Sequence, residues 1–389
     1  MLTSNIKFTN FYKKNKNKKS DLNKLKKLEW IKNFKFLLSF TKNYNYSYSK
    51  KYLKKYKNFK NFRIIGMGGS ILGSKAIYAF LHHKVKKNFE FIDNLNPNIV
   101  SQYKSQKKIL NIIISKSGNT LETISNFNIL VKNNDNNIII TEKKNNYLRY
   151  ISKKIKSEVL EHKNFIGGRY SVLSEAGMLP AELMGLNEKK FKRFNYLISN
   201  NNFLYSLINN VNFTLKFIKQ NRFNSIILNY DESSENLFKW YQQLISESLG
   251  KKSKGILPVV STMPKDNHSI LQLYLDGPKR NFFTFFSVKN QKSQKIKNKF
   301  ILNSFSYLKN KSLYDILISQ KKATERVFKN NKIPYRVFEI INRNEQALGE
   351  IFCFFVMETI LLGRALNVNP FDQPSVELVK KETKKILFR

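Results

Sequence analysis

The chain has 389 residues, 41% hydrophobic and 14% aromatic, which is too long for one ordinary core and suits two folded domains. Seventy Lys+Arg against 27 Asp+Glu leave a net charge of +43, but the basic residues are spread along the chain. They accompany abundant Asn, Ile, Phe and Tyr, so the excess reads as AT-rich coding composition before it reads as a phosphate- or nucleic-acid-attracting surface. Recurring apolar runs exclude a disordered chain, and the single Cys353 excludes an internal disulfide.

Residues 1–60 are rich in Lys, Asn and Tyr, with an amphipathic patch over Leu22–Phe40; helices with a frayed start are expected, residues 1–40 forming a basic helical extension. A strand–helix rhythm follows. "FRIIGMGGS" is a short apolar strand running into glycines, and "ILGSKAIYAFLHH" is helical. "FEFID" is a strand, and "KILNIIISKSGNT" is a strong β run ending in a polar turn. "LETISNFNILVKN" is a helix and "NNIIITE" a further strand. The rhythm pauses at "NFIGGRYSVLSEAGMLPAELMG", where glycines and Pro180 punctuate. It resumes with "FNSIILNY", "RNFFTFFSV" and "IPYRVFEI" as strands and "ENLFKWYQQLISESL" as a helix. The apolar helix "EIFCFFVMETILLGRAL" holds Cys353 as a core residue. Glu358 and Arg364 leave its uncharged run too short for a membrane span, so no membrane contact is expected. A last helix follows Pro374. Strands and helices alternating at this spacing predict an α/β fold of two domains, 41–190 and 191–389, each a mainly parallel sheet flanked by helices. The start of the chain lacks the compact apolar segment of a secretory signal, so a cytoplasmic enzyme is expected.

Five segments carry chemistry. In "GMGGSILG", glycines between a strand and a helix let backbone approach a ligand, although Ile71 stands where a dinucleotide fingerprint needs its third glycine. In "SKSGNT", an apolar strand delivers Ser115, Lys116, Ser117, Asn119 and Thr120 to a helix start. That density of donors suits a phosphate monoester, with helix capping as the plainer explanation. "GGRYS" offers Arg169, able to clamp a phosphate, to hold a developing oxyanion or to make a surface ion pair. On the helical wheel Leu237, Trp240, Tyr241 and Leu244 form a stripe, with Glu247 beside Trp240 on one flank and Gln243 four residues before it. A carboxylate desolvated against such a wall has raised proton affinity, which suits a general base; a boundary glutamate is the plainer reading. His268 follows on a polar loop. Near the end, Val376, Val379 and Thr383 make a weak inward stripe beside Lys380, with Asp372 or Gln373 capping the helix.

The order of these segments is more specific than any one of them. "GMGGSxLG", "SKSGNTxET", "GGRYSVLSEAG", "ESLGK", "HS" and "FDQPSVELVK" together resemble the phosphoglucose isomerase family over about residues 60–385. The resemblance implies two sugar-phosphate isomerase (SIS) domains and interconversion of glucose 6-phosphate and fructose 6-phosphate. It implies that Ser70, Ser115, Lys116, Ser117 and Thr120 hold the phosphate, and that Gln243 and Gln373 contact the sugar. It gives Glu247 the proton transfer between C2 and C1, Arg169 the enediolate, and His268 and Lys380 the ring opening. His268 would come from a neighbouring subunit, making a homodimer. No metal or redox cofactor is implied. The chain departs from the family in reading Gln-Pro-Ser before Val376, and its SKSGNT turn leans towards enzymes that also isomerise mannose 6-phosphate, so two substrate breadths stay open. A sugar-phosphate-binding regulator is the alternative of another class, but the sequence offers no nucleic-acid-binding motif.

Overall fold

A computed structural model describes residues 2–11, 29–99, 108–132, 134–289 and 292–388. Among the described residues, ten strands, β1 to β10, form two five-stranded sheets. The first contains β2 (Asn61–Gly66), β3 (Asn88–Ile92), β4 (Ile109–Ile114), β5 (Asn136–Thr141) and β6 (Glu158–Glu161) in the order β3-β2-β4-β5-β6, all parallel. The second contains β1 (Ile6–Thr9), β7 (Asn224–Asn229), β8 (Leu257–Thr262), β9 (Asn281–Val288) and β10 (Tyr335–Ile340) in the order β1-β10-β9-β7-β8. Helices cover both faces, so the central strands read as continuous apolar runs; every residue of Ile109–Ile114 is buried. The predicted architecture of two parallel, helix-flanked sheets is observed.

The expected helical extension needs correction at its start. Ile6–Thr9 is a strand that pairs antiparallel with β10, Ile6 opposite Ile340, and closes an edge of the second sheet. Thr3 Oγ1 donates to Glu350 at 2.6 Å, tying the same segment to the long helix Glu345–Ala365. Glu29–Asn33 and Lys35–Phe40 are short 3-10 turns, and residues 12–28, part of the expected helix, lie outside the described residues.

Glu345–Ala365 is almost wholly buried, with Cys353 inside, as a core helix rather than a span. It seats the helix Glu235–Leu249 through Trp240 on Phe352 (ring centroids 4.8 Å apart) and Tyr241 on Phe355 (4.3 Å). Such pairs add about 0.5–1.5 kcal/mol each beyond area burial. Between them lies a buried polar knot. Arg336 of β10 donates to Glu358, to Asn210 Oδ1 (2.7 Å), to Thr284 Oγ1 (2.9 Å) and to Tyr241 Oη (3.4 Å). It joins two strands and three helices, one of them the helix that bears Glu247.

Removing one partner of a buried pair strands the other charge. Arg336→Met is expected to lower unfolding stability by about 3–5 kcal/mol in urea titration, and Arg336→Met with Glu358→Leu to recover much of that loss. An unchanged urea midpoint in the single variant would show that the knot does not hold the second sheet together.

Candidate active site

In the first sheet the chain leaves β2 towards β3 on one side and returns to β4 on the other. The gap between the carboxyl ends of β2 and β4 is therefore a topological switch point, where open parallel sheets take ligands. Two of the five segments issue there. Gly66 pairs with Ile114, and the loop after β2 turns so tightly that a Cβ on Gly66 would lie 3.3 Å from the Ser70 Cβ. Ser70 thus flanks the start of the Ser115–Thr120 turn. On its other side the loop meets the rest of the site: a Cβ on Gly69 would sit 2.1 Å from the Gly168 carbonyl carbon. Only glycine permits that approach, and it brings Arg169 to the loop.

Arg169 is 4% exposed, and all five of its N–H donors are used. Nε donates to Ser248 Oγ (2.8 Å); Nη1 donates to Glu247 Oε2 (3.2 Å) and Gln373 Oε1 (2.9 Å). Nη2 donates to the carbonyls of Pro370 (2.7 Å) and Asp372 (2.9 Å). The other oxygen of Glu247 accepts from Gln243 Nε2 at 2.9 Å. Gln243 Oε1 is buried without a partner among the described residues, an open acceptor at the rim of the cluster. The structure thus brings Arg169, Glu247, Gln243 and Gln373 together from three separate stretches of sequence. The wall expected behind Glu247 differs from the sequence reading: Trp240 is buried against Phe352, and the polar contacts of the carboxylate are with Arg169 and Gln243.

At the phosphate-type turn, Thr120 is the N-cap of the helix Leu121–Leu130 but makes no side-chain cap bond. Its hydroxyl instead meets Ser115 Oγ at 2.9 Å, which disfavours the capping explanation. Ser117 is exposed. Lys116 is turned away from these hydroxyls: its ammonium donates to the Asn164 carbonyl (2.8 Å) and pairs with Glu142 at 3.5 Å. Behind the turn, His162 is buried, and desolvation pushes its imidazole down to about 4, so it is neutral at pH 7.

Two predicted residues stand elsewhere in the chain's own fold. His268 ends the exposed 3-10 turn Lys265–His268. Lys380 lies on the helix Val376–Leu387, exposed and paired with Glu377 at 2.6 Å. The inward stripe expected on this helix faces outward, since none of its residues is buried and Val379 is 69% exposed. Gln373 does not cap it, because its side chain accepts from Arg169. The helix follows a segment held fast by that arginine.

Sequence reasoning missed the supports. Ser248, fully buried, accepts from Arg169 and hydrogen-bonds Tyr170 Oη (2.9 Å), which donates to the Pro370 carbonyl (2.9 Å). Lys251 pairs with Asp372 at 2.8 Å and donates to the Asn369 carbonyl, holding the Asp372 carboxyl below its ordinary range. Within "ESLGK", then, Glu247, Ser248 and Lys251 all serve one cluster. The only advance signal was their adjacency to Glu247.

The phosphoglucose isomerase family profile matches residues 40–389. A glucose-6-phosphate isomerase of Methanocaldococcus jannaschii is 33% identical over 347 residues, covering 85% of this chain and 84% of that one. Another, from Mycoplasmopsis pulmonis, is 33% identical and covers 83% of this chain and 82% of its own. Among solved structures, a hypothetical protein of Thermus thermophilus superposes with a TM-score of 0.83 at 23% identity over 95% of both chains. A glucose-6-phosphate isomerase of Chlamydia trachomatis gives 0.70 at 18% identity, covering 97% of this chain and 76% of that one. These two structures show the shared fold; the family profile, which runs through every segment that builds the cluster, goes further, and the chain belongs to the phosphoglucose isomerase family.

Proposed function

We propose that the protein interconverts glucose 6-phosphate and fructose 6-phosphate, with Glu247 as the base. The observation that carries the reading is the carboxylate and guanidinium 3.2 Å apart at the mouth of a switch point, with the open acceptor of Gln243 beside them. The hydroxyls of Ser70, Ser115, Ser117 and Thr120 and the N-terminus of the helix Leu121–Leu130 hold the phosphate. Because the Lys116 ammonium is committed to Glu142 and Asn164, it supports the charge of the site rather than gripping the ester. With the open-chain aldose bound, Glu247 takes the proton from C2. The C–H electrons form the C1–C2 double bond, and the C1 oxygen becomes the oxyanion of a cis-enediolate. Arg169 meets that charge by exchanging an Nη1 contact, with Gln373 the replaceable neutral partner. The hydroxyl proton passes from O2 to O1, and Glu247 returns its proton to C1, giving the ketose. Gln243 Oε1 accepts from a sugar hydroxyl, and Gln373, once released, contacts another.

Ring opening falls to His268 and Lys380, and the working unit is a homodimer. Two features support this. His268 is exposed, as a group serving a partner's site must be. The Lys380 helix exposes Val379, Leu378, Ile386 and Leu387, an apolar face that a second subunit would cover. The substrate is a soluble metabolite and the one cysteine is a buried core residue, in keeping with a cytoplasmic setting.

Glu247→Gln keeps the shape and removes the base, so kcat is expected to fall by about 10²–10⁴-fold in a coupled assay of fructose 6-phosphate conversion. Turnover near that of the wild type would remove Glu247 from the mechanism. Mixing inactive His268→Ala and Glu247→Gln subunits and letting them exchange is expected to restore activity, because one site of each mixed dimer then holds both groups. No recovery from a demonstrably mixed dimer would show that His268 does not act across the interface.

A further inference from the structure

The Ser115–Thr120 turn is gripped from outside the phosphate-type motif. Two main-chain carbonyls and one side chain of the turn are held by the end of β5 and the start of the helix Tyr147–Lys154. The Lys116 carbonyl accepts from Thr141 Oγ1 (3.2 Å) and from the Glu142 amide (3.1 Å). The Gly118 carbonyl accepts from the Leu148 amide (3.2 Å). The Asn119 side chain accepts from the Tyr147 amide on its Oδ1 (2.9 Å).

Asn146 sits at the centre of this grip. Its Nδ2 donates to Thr141 Oγ1 (3.2 Å) and to the Lys144 carbonyl (2.9 Å), while its Oδ1 caps the helix by accepting from the Arg149 amide (3.0 Å). The same Oδ1 lies 2.1 Å from where a Cβ on Gly118 would stand. Gly118 has φ +68°, a conformation glycine adopts without strain, and the Asn146 amide fills the space its missing side chain leaves. Thr141 is fully buried, so its hydroxyl is aimed rather than solvated: it accepts from the Asn146 amide and donates to the Lys116 carbonyl. The relay from Asn146 through Thr141 to the Lys116 carbonyl fixes the curvature that sets Ser115 and Thr120 face to face.

We propose that Asn146 and Thr141 are positioning residues that preorganise the phosphate-binding turn, with the Asn119 Oδ1 a further tether of that turn. The proposal rests on the reading of Ser115–Thr120 as the phosphate site. Its signature is selective: loosening the turn weakens grip on the phosphate group and leaves the chemistry at Glu247 alone.

The test uses the full-length enzyme and inorganic phosphate as a competitive inhibitor. Asn146→Ser keeps a good helix cap but cannot reach Thr141. Thr141→Val removes the hydroxyl at nearly constant shape, and Thr141→Ser retains it. Asn146→Ser and Thr141→Val are each expected to raise KM for fructose 6-phosphate and the inhibition constant of phosphate together by about tenfold, the worth of one or two hydrogen bonds, with kcat within about twofold. The double variant is expected to be no worse than either single one, and Thr141→Ser to behave as wild type. Wild-type phosphate inhibition in both Asn146→Ser and Thr141→Val, with Ser115→Ala weakened, would overturn the positioning role alone. Wild-type phosphate inhibition in Ser115→Ala as well would overturn the phosphate site on which it rests. A fall in kcat at unchanged KM would also overturn the proposal, because the relay would then act on the chemistry.

Discussion

A guanidinium can donate five hydrogen bonds, and in this protein one buried guanidinium makes all five across the whole molecule. Arg169 comes from the end of the first α/β unit. Its acceptors are on the helix Glu235–Leu249 of the second unit and on the segment 370–373 that leads to the last helix. An arginine so far desolvated is stable only when its donors are matched, so the two units and the C-terminal segment are held in one arrangement by the group proposed to meet the enediolate. Saturation also has a functional consequence. The resting site contains no spare donor on Arg169, so in the proposed reaction substrate oxygens enter by exchange, and on Nη1, the nitrogen that faces Glu247, the neutral acceptor to be displaced is Gln373. Positive charge is thereby kept in place before the substrate arrives, without an unpaired buried ion.

The rest of the architecture serves that contact. The switch point between β2 and β4 brings the loop Gly66–Ser70 and the turn Ser115–Thr120 to one edge. The Gly69–Gly168 approach joins this edge to Arg169. From behind, Trp240, Tyr241 and the Arg336–Glu358 knot fix the helix that carries Gln243 and Glu247 at an i, i+4 spacing. The proposed phosphate end and carbon-chemistry end are thus one loop apart, a fixed spacing suited to a phosphorylated sugar.

Much of this was legible in the sequence for identifiable reasons. Central strands of a doubly covered sheet are continuous apolar runs, so Ile109–Ile114 and Asn281–Val288 announced themselves. Glycines at 68, 69 and 118 marked places where backbone comes close to something. Edge strands were less legible: "FEFID" announced β3, but Ile6–Thr9 is four residues long and its partner, β10, lies more than three hundred residues away. β6 is likewise short and carries glutamates at both ends. Hydrophobic patterning also misjudged Trp240, which faces the core rather than Glu247, and the Val376–Leu387 stripe, which faces outward. Patterning reports that a face is apolar, not what covers it. The supports of the site were invisible for a different reason. Ser248, Thr141 and Asn146 are small polar residues whose value lies in one or two long-range hydrogen bonds, and no local spacing encodes those.

The central claim is that a proton, not a hydride, moves between C1 and C2, and that a carboxylate carries it. Isomerisation in D2O tests this most directly, read as deuterium at C2 of the glucose 6-phosphate pool after many turnovers. A base that picks up and returns the proton exchanges some of it with solvent on each cycle, so steady accumulation of label is the expected result. Sustained interconversion with C2 free of deuterium would mean direct hydride transfer, and would contradict the roles of Glu247 as base and Arg169 as enediolate partner.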